Sequence, residues 1–477
     1  MRHLIPSFLL SLYHWSLAKL AVFWYGFPSE KMIVIGVTGT NGKSSTVNLL
    51  GKLLQATGHK VGWTSTMTFC DGKKEWLNDT KMTMLGRFQT QRLLREMARN
   101  GCEYAIVETS SEGLKQWRHA GINYDAAVFL NLSEEHLEAH GSYEEYRKAK
   151  ERLFGHLMRG RHKVIDHPQP PVSRCGQGGL LGKEGEISSP YQGEAGWGLV
   201  LPRGSKRGSK IPKIIVVNSD DAAAPHFLKY SADKKVSITK NDFPKIETPL
   251  IGPGVQENLR LAIGMAVVLG VPQEKLLEAA KHLEPLPGRF ELIEEGQPFR
   301  VVVDYVHTVE AMKQLYEFVE TLRQEKFFSG KILHLLGGVG GGRDRAKRKI
   351  FGEMAGERAD VVIVTNEDPY DDDPLEIIGD VASGARNVIL ERSDSIHVDP
   401  IEPTSRRLSR MTDDRVVEIL DRREAIQKAL SLAQAGDLVL ITGKGCEQAI
   451  CGPRGSKTPW DDRTVVRKEL SIVDRRS

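Results

Sequence analysis

Cysteine is scarce and scattered: five residues (Cys70, Cys102, Cys175, Cys446, Cys451), an odd number with no CxxC pair. That argues against a disulfide framework or a zinc site and suits a reducing cytoplasm. An excess of one charge is also missing. With 66 Lys and Arg against 62 Asp and Glu, the formal net charge is +4, far from the concentrated positive charge that nucleic-acid binding requires. Nucleic acid is therefore not an expected partner. Long apolar runs are lacking except over residues 4–27, which are rich in Leu, Phe, Trp and Tyr but interrupted by His14 and Lys19. No small-residue cleavage site follows, so this is a poor signal peptide. A membrane span needs ~20 predominantly apolar residues, which makes the stretch borderline. Trp15, Trp24 and Tyr25 suit a helix lying at a membrane interface; a helix docked on the protein's own core is the plainer reading. No repeat of solenoid period is visible.

What is present is a chain of 477 residues, too long for one ordinary core, since domains commonly run ~100–200 residues. From residue 32 onward, short β-branched runs alternate with helical patterns, the sign of parallel α/β architecture. The runs at 32–35, 104–107, 128–130 and 214–217 lead into the glycine loop, Glu108, Asn131 and Asn218. In open α/β sheets the ligand crevice lies at the carboxyl ends of the strands, so these residues are expected to converge. Periodicity disappears over 166–211, which is Gly-, Pro-, Ser- and Lys-rich and reads as a surface insertion. A second series, at 301–303, 331–336, 361–364 and 438–441, begins after Pro285-Leu286-Pro287-Gly288, which marks a domain boundary. The expected organisation is an apolar helix (1–30), a central nucleotide-binding domain (31–284) and a Rossmann-like C-terminal domain (285–477).

The loop Gly39-Thr40-Asn41-Gly42-Lys43-Ser44 follows a strand and precedes a helical pattern at 45–55. Its N–H groups and the helix N-terminus can cradle phosphate, with Lys43 reaching the terminal phosphates and the Ser44 or Ser45 hydroxyl facing Mg²⁺. Val37 stands where GxxxxGK[ST] requires glycine, so this is a shortened variant; the alternative is a plain structural turn. Further on, Ser142-x-x-Glu145 reads as a capping box, opening a helix whose apolar stripe is Tyr143, Tyr146, Leu153 and Phe154. Lys150 lies on that stripe, four residues from both Tyr146 and Phe154. A desolvated lysine favours the neutral amine, the form that reacts with carbon dioxide to give a carbamate; a snorkelling ammonium is ordinarily commoner. Glu108 at a strand end and His136 in a polar loop are candidate Mg²⁺ ligands, because Mg²⁺ is held by one or two protein groups plus substrate phosphates. Either alone would more often be a solvated residue.

The run GVTGTNGKSST (36–46) resembles the Mur ligase superfamily. Glu108-Thr109-Ser110-Ser111, Asn131-Leu132-Ser133 with His136-Leu137, Asp304-Tyr305-Val306-His307-Thr308, Arg343-Asp344 with Lys347-Arg348, and Gly443-Lys444-Gly445 are similar to the branch that adds the third stem-peptide residue. The resemblance covers about 31–165 and 212–470. It implies a P-loop central ATPase domain and a Rossmann-like C-terminal domain. It further implies an ATP- and Mg²⁺-dependent ligase, with catalysis by Lys43, His136 and Lys150. Ser44, Glu108, His136 and a carbamylated Lys150, 14 residues after His136, would hold the metal. ATP would be contacted by the glycine loop with Ser45, Asn258, Arg289, Asp304 and His307. A muramoyl-peptide acceptor would be held by Ser110, Gln116 and Arg118, whose planar fork suits a carboxylate or phosphate, and the incoming amino acid by Asp368 and Glu447.

Several positions depart from the family pattern. Glu135 stands for an aspartate, Val255 for an asparagine and Cys446 for a histidine; Glu367-Asp368-Pro369-Tyr370 stands where a diaminopimelate-adding enzyme has Asp-Asn-Pro-Arg. The acidic run Asp371-Asp372-Asp373 could attract a basic side chain such as lysine, or simply begin a solvated helix before Pro374. Only residues 1–30 precede the first strand, so a UDP-gripping N-terminal domain is not expected. The reaction implied is carboxylate attack on the γ-phosphate of ATP, then amine attack on the acyl phosphate, in a cytoplasmic enzyme with residues 4–27 available for membrane contact. Closure about 285–288 would keep water from the intermediate. The alternatives are a MurT-like amidotransferase partner, a folylpolyglutamate synthase, a cyanophycin-type ligase, or a non-catalytic membrane-associated ATP-binding scaffold.

Overall fold

A computed structural model of the chain describes residues 7–133, 141–165, 210–342, 345–394 and 415–473. His136, Glu135, Arg343, Asp344, Cys175 and nearly all of the 166–211 insertion lie outside the described residues. The four described cysteines are free and buried.

The N-terminal two-thirds is built on an eight-stranded sheet. Its strands are β1 (Ile33–Thr38), β2 (Val61–Thr64), β3 (Thr68–Cys70), β4 (Glu75–Leu77), β5 (Tyr104–Glu108), β6 (Ala126–Phe129), β7 (Ile214–Asn218) and β8 (Lys234–Ile238). They run in the order β4-β3-β2-β5-β1-β6-β7-β8, parallel except for the β2-β3-β4 meander. Helices α1 (Ser7–Trp24), α2 (Lys43–Ala56), α3 (Arg87–Arg99), α4 (Ser111–Lys115), α5 (Tyr143–Arg159), α6 (Ala224–Leu228) and α7 (Val255–Val268) accompany it. Side chains alternate across a strand. Ile33, Ile35 and Val37 therefore pack with Leu49, Leu50 and Leu53 of α2 and Leu259 and Ile263 of α7. Val34 packs on the other face, with Leu93 and Met97 of α3 and Leu153 and Phe154 of α5. Both faces being covered, all six residues of β1 are buried, which is why the run reads as continuously apolar.

The second sheet holds β9 (Glu291–Ile293), β10 (Arg300–Val303), β11 (Ile332–Val339), β12 (Val361–Asp368), β13 (Val416–Ile419) and β14 (Leu438–Ile441), ordered β13-β12-β11-β14-β10-β9. Only the edge strand β9 is antiparallel. A small hairpin, β15 (Ala449–Cys451) with β16 (Lys457–Pro459), follows.

The helix expected at 45–55 starts two residues earlier, because Gly42, at φ +77°, turns the chain straight into it. The apolar N-terminal stretch forms α1, which buries Ala18, Ala21 and Val22 and exposes Leu12, Tyr13, Leu20, Phe23 and Trp24. Trp117 Nε1 donates to Ser11 Oγ at 2.6 Å and Lys19 Nζ to the Ala120 carbonyl at 3.2 Å. No described helix is long and apolar enough to cross a membrane.

Candidate active site

Strand β1 is flanked by β5 on one side and β6 on the other, so the sheet reverses direction of winding there, and a crevice opens beyond the strand ends. The glycine loop fills that crevice. Asn131, just past β6, pins it: Asn131 Oδ1 accepts from Thr40 N at 3.1 Å and Asn41 N at 2.9 Å. A Cβ on Gly42 would lie 2.2 Å from Asn258 Oδ1, and the same oxygen accepts from Thr46 Oγ1 at 3.1 Å. Asn258 thus sits directly against the turn of the loop.

The Ser44 hydroxyl donates to Glu108 Oε2 at 2.9 Å. Glu108 is buried and also accepts from Thr66 N at 2.6 Å and Thr66 Oγ1 at 3.1 Å. Lys43 Nζ folds back onto the Thr40 carbonyl at 2.7 Å. Lys150, buried at 1% exposure, donates to the Gly39 carbonyl at 2.6 Å and stands 4.4 Å from the centre of the Tyr146 ring. The Tyr146 hydroxyl lies 3.2 Å from Thr40 Oγ1. Lys150 is therefore seated under the loop, with its head group turned inward. Hydroxyl and carboxylate oxygens are the hard donors Mg²⁺ prefers, and Mg²⁺ needs few of them when phosphates supply the rest. Ser44 and Glu108 fit that ion. Among the described residues no group of three His, Cys, Asp or Glu side chains could hold a metal.

A cleft of about 300 Å³ between the two sheets is lined by Asn41, Gly42, Ser45, Asn258, Arg289 and His307, among others. Arg289, from the linker, points at the loop: its Nη2 lies 3.5 Å from Ser44 Oγ, its guanidinium covers the Tyr305 ring at 4.6 Å, and its Nε is buried without a partner. Asp304 accepts from Phe290 N at 2.5 Å and so fixes the residue after Arg289; burial raises its carboxyl to about 6 against the pull of Arg289 and nearby N–H groups. The His307 ring is exposed and its Nδ1 lies 3.0 Å from the Tyr305 carbonyl.

On the β5 side, Ser110 caps α4 by accepting from Gly113 N at 3.1 Å. Arg118 donates twice to Gln116 Oε1, at 3.1 and 2.8 Å, and also to the Met84 carbonyl. Asp368 and Glu447, expected to meet the incoming amino acid, are already engaged. Lys81 Nζ reaches Asp368 at 2.9 and 2.6 Å and Glu447 at 3.0 Å; Lys444 Nζ reaches them at 2.8 and 2.7 Å. Burial opposes the Asp368 charge, but Lys444 and Lys81 outweigh it and hold this carboxyl below its ordinary value. The acidic run following it is used by the fold: Asp371 accepts from Arg454 N, Asp372 pairs with Arg348 at 2.8 Å and Asp373 accepts from Leu375 N. An attraction for a basic side chain therefore does not rest on those three residues. Cys446 is buried and its thiol is pushed up to about 11 by that burial, which makes it unreactive.

The loop, Glu108, Asn131, Lys150, Asn258 and Arg289, all singled out in the sequence, are brought together by the fold, whereas Thr66, Lys81 and the contact of the Tyr146 hydroxyl with Thr40 were not foreseen. Asn131 carried a signal, since it ends a strand; Lys81 carried none.

Comparison with known proteins gives a family. The Mur ligase middle domain matches residues 37–175 and the Mur ligase, glutamate ligase domain matches residues 288–445. The chain is 33% identical to the UDP-N-acetylmuramyl-tripeptide synthetase of Roseiflexus sp. (strain RS-1), covering 96% of this chain and 82% of that one. It is 31% identical to the UDP-N-acetylmuramoyl-L-alanyl-D-glutamate–2,6-diaminopimelate ligase of Geobacillus thermodenitrificans (strain NG80-2), covering 97% and 83%. A solved structure of a ligase of the latter name superposes with a TM-score of 0.51 at 26% identity, over 93% of this chain and 79% of the other. Mycobacterium tuberculosis folylpolyglutamate synthase shares the fold at a TM-score of 0.59 and 15% identity, over 96% and 95%. A phosphate loop, an inward-facing lysine beneath it and an arginine aimed across the cleft are thus the parts of a chain that belongs to the Mur ligase family of ATP-dependent acid–amino-acid ligases.

Proposed function

We propose that the protein joins an amino acid to UDP-N-acetylmuramoyl-L-Ala-D-Glu in peptidoglycan precursor synthesis. The observation that carries this reading is the Ser44–Glu108 pair at 2.9 Å beside the glycine loop, with Lys150 under it and Arg289 facing it. In the first step an acceptor carboxylate oxygen attacks the γ-phosphorus of ATP and the bond to the β-phosphate oxygen breaks, giving acyl phosphate and ADP. Lys43 leaves the Thr40 carbonyl to meet the phosphates, and Arg289 meets the developing charge. Mg²⁺, held by Ser44, Glu108 and Lys150, would neutralise phosphate oxygens; His136 is proposed as a further ligand. In the second step the amine attacks the acyl carbon, loses a proton, and inorganic phosphate departs. Asn258, Asp304 and His307 line the nucleotide side, Ser110, Gln116 and Arg118 the acceptor side. Asp368 and Glu447 take the incoming ammonium in exchange for Lys81. Residues 31–284 and 285–477 act as two domains hinged at 285–288, whose closure excludes water.

Lys150 is proposed to carry a carbamate. One N–H remains on the modified nitrogen, enough for the Gly39 carbonyl, and the added carboxylate supplies the anionic oxygens that a metal ligand needs. The test is phosphate release from ATP with UDP-N-acetylmuramoyl-L-Ala-D-Glu and a panel of amino acids. Turnover that Lys150→Ala abolishes, with ATP binding retained, is expected. No turnover with any amino acid, alongside turnover with a folate or a non-nucleotide acceptor, would sink the reading.

A second reading concerns location. Phe23 and Trp24 are 72% and 71% exposed on α1, and α1 with the adjoining α3 carries five Lys and Arg side chains against one Glu. That combination suits shallow attachment to an anionic membrane surface. Co-sedimentation with phosphatidylglycerol vesicles, lost in F23E/W24E, is expected; absence of pelleting, with dimers in solution through α1, would refute it.

A further inference from the structure

Arg118 has a neighbour of the same sign. Arg87, the first residue of α3, donates through Nη2 to the backbone carbonyl of Gln116, the residue whose side chain holds Arg118. Each guanidinium is thus tied to the Gln116 segment, one through its backbone and one through its amide. Burial, and then the charge of Arg118, push the Arg87 guanidinium below its ordinary value, and burial does the same for Arg118.

The acceptors of these two cations are all neutral: the Gln116 and Met84 carbonyls and the Gln116 amide oxygen. Among the described residues neither arginine forms an ion pair; Glu112 is within electrostatic range of Arg118 but makes none. Arg87 Nε is buried and without a partner. Arg87 also occupies the first turn of a 13-residue helix, where the helix dipole is positive and a cation is disfavoured. Two half-buried guanidiniums at a helix N-terminus repel one another, and an anion shared between them would offset that repulsion. The wall beside them is closely packed, a Cβ on Gly113 falling 2.6 Å from Met84 Sδ and 3.1 Å from Ser110 Oγ.

We propose that Arg87 and Arg118 form a two-arginine clamp for an oxyanion of the acceptor, with Arg87 a substrate-binding residue in its own right. The proposal deepens the acceptor assignment above and rests on it. The oxyanion is either a phosphate or a carboxylate of the acceptor, since the fork of arginine serves both.

Two measurements test it. In steady-state kinetics, R87Q is expected to raise the KM for UDP-N-acetylmuramoyl-L-Ala-D-Glu about 10- to 100-fold, the range of a charge-assisted hydrogen bond. The KM for ATP should stay unchanged and R87K should recover part of the loss. An unchanged acceptor KM in R87Q overturns the clamp. Binding is then read without turnover, by thermal shift of the full chain with its nucleotide site filled by ADP, using inorganic pyrophosphate and glutarate as probes. A rise in Tm with pyrophosphate that R87Q removes assigns the clamp to phosphate; the same with glutarate assigns it to carboxylate. A rise that R87Q leaves intact, or none with either probe, refutes it. Should the muramoyl dipeptide fail as a substrate while R87Q still removes the shift, the acceptor's identity falls and the clamp stands.

Discussion

At the scale of single residues, the site depends on positions that tolerate little. Gly42 combines φ +77° with an absent Cβ whose place lies 2.2 Å from Asn258 Oδ1. G42A is expected to cost roughly 1–3 kcal/mol of stability and to raise the KM for ATP. N258A added to it should relieve the clash but not the backbone strain, so thermal melts would show partial recovery; full recovery would locate the whole effect in the clash. Glu367 tests the electrostatics. Burial lifts its carboxyl from 4.5 to about 7, against Arg422. A carboxyl raised in the folded state binds its proton more tightly there than in the unfolded chain. Its contribution is therefore complete below pH 4.5 and is lost as pH rises through 7, at up to about 1.4 kcal/mol per pH unit within that window. Denaturation midpoints should fall between pH 5 and 8, and E367Q should flatten the decline. Lys150 was legible because a lysine on an apolar helical stripe is anomalous by itself. Arg87 was not, because nothing in an arginine beside a glycine announces another guanidinium across the pocket.

Among the elements, α5 shows how local sequence seats the lysine proposed to act in catalysis. Ser142 Oγ accepts from Glu145 N at 3.2 Å, acids occupy the first turn and basic residues the last, in accord with the helix dipole, and Lys150 rides two turns further on. S142A should lower stability by about 1 kcal/mol, read from the denaturant midpoint, and should loosen Lys150 enough to reduce kcat more than the KM for ATP. Equal loss in both would mean the cap supports the whole fold and not the lysine. The Ser142 cap and the long β-branched runs were readable because each is determined within a dozen residues. The three-residue strands β3, β4 and β9 were not, since their pairing comes from neighbours across the sheet and not from a pattern of their own.

Across the whole molecule, two sheets face each other over the cleft, and Lys81 ties them. It reaches Asp368 from 287 positions away, at φ +58°, a conformation rare for lysine. Removing Lys81 leaves two largely buried carboxylates, Asp368 and Glu447, to share Lys444 alone, at a cost of up to about 3–5 kcal/mol. K81M should therefore open the unliganded protein, seen as a larger radius of gyration in solution scattering, and lower the KM for the incoming amino acid that no longer has to displace an internal ammonium. An unchanged radius would mean that apolar contact, and not this ion pair, keeps the halves together. Such a link is invisible in sequence because both ends are ordinary charged residues far apart in the chain.

Trp117 stands between Gln116 and Arg118, holds a positive φ of 58°, and has its indole fastened to Ser11 of α1. Helix α1 is thereby joined to the segment that carries Gln116 and Arg118. If Arg118 holds the acceptor as proposed, a shift of α1 would bear on it through that indole, and on the neighbouring Ala120 through Lys19.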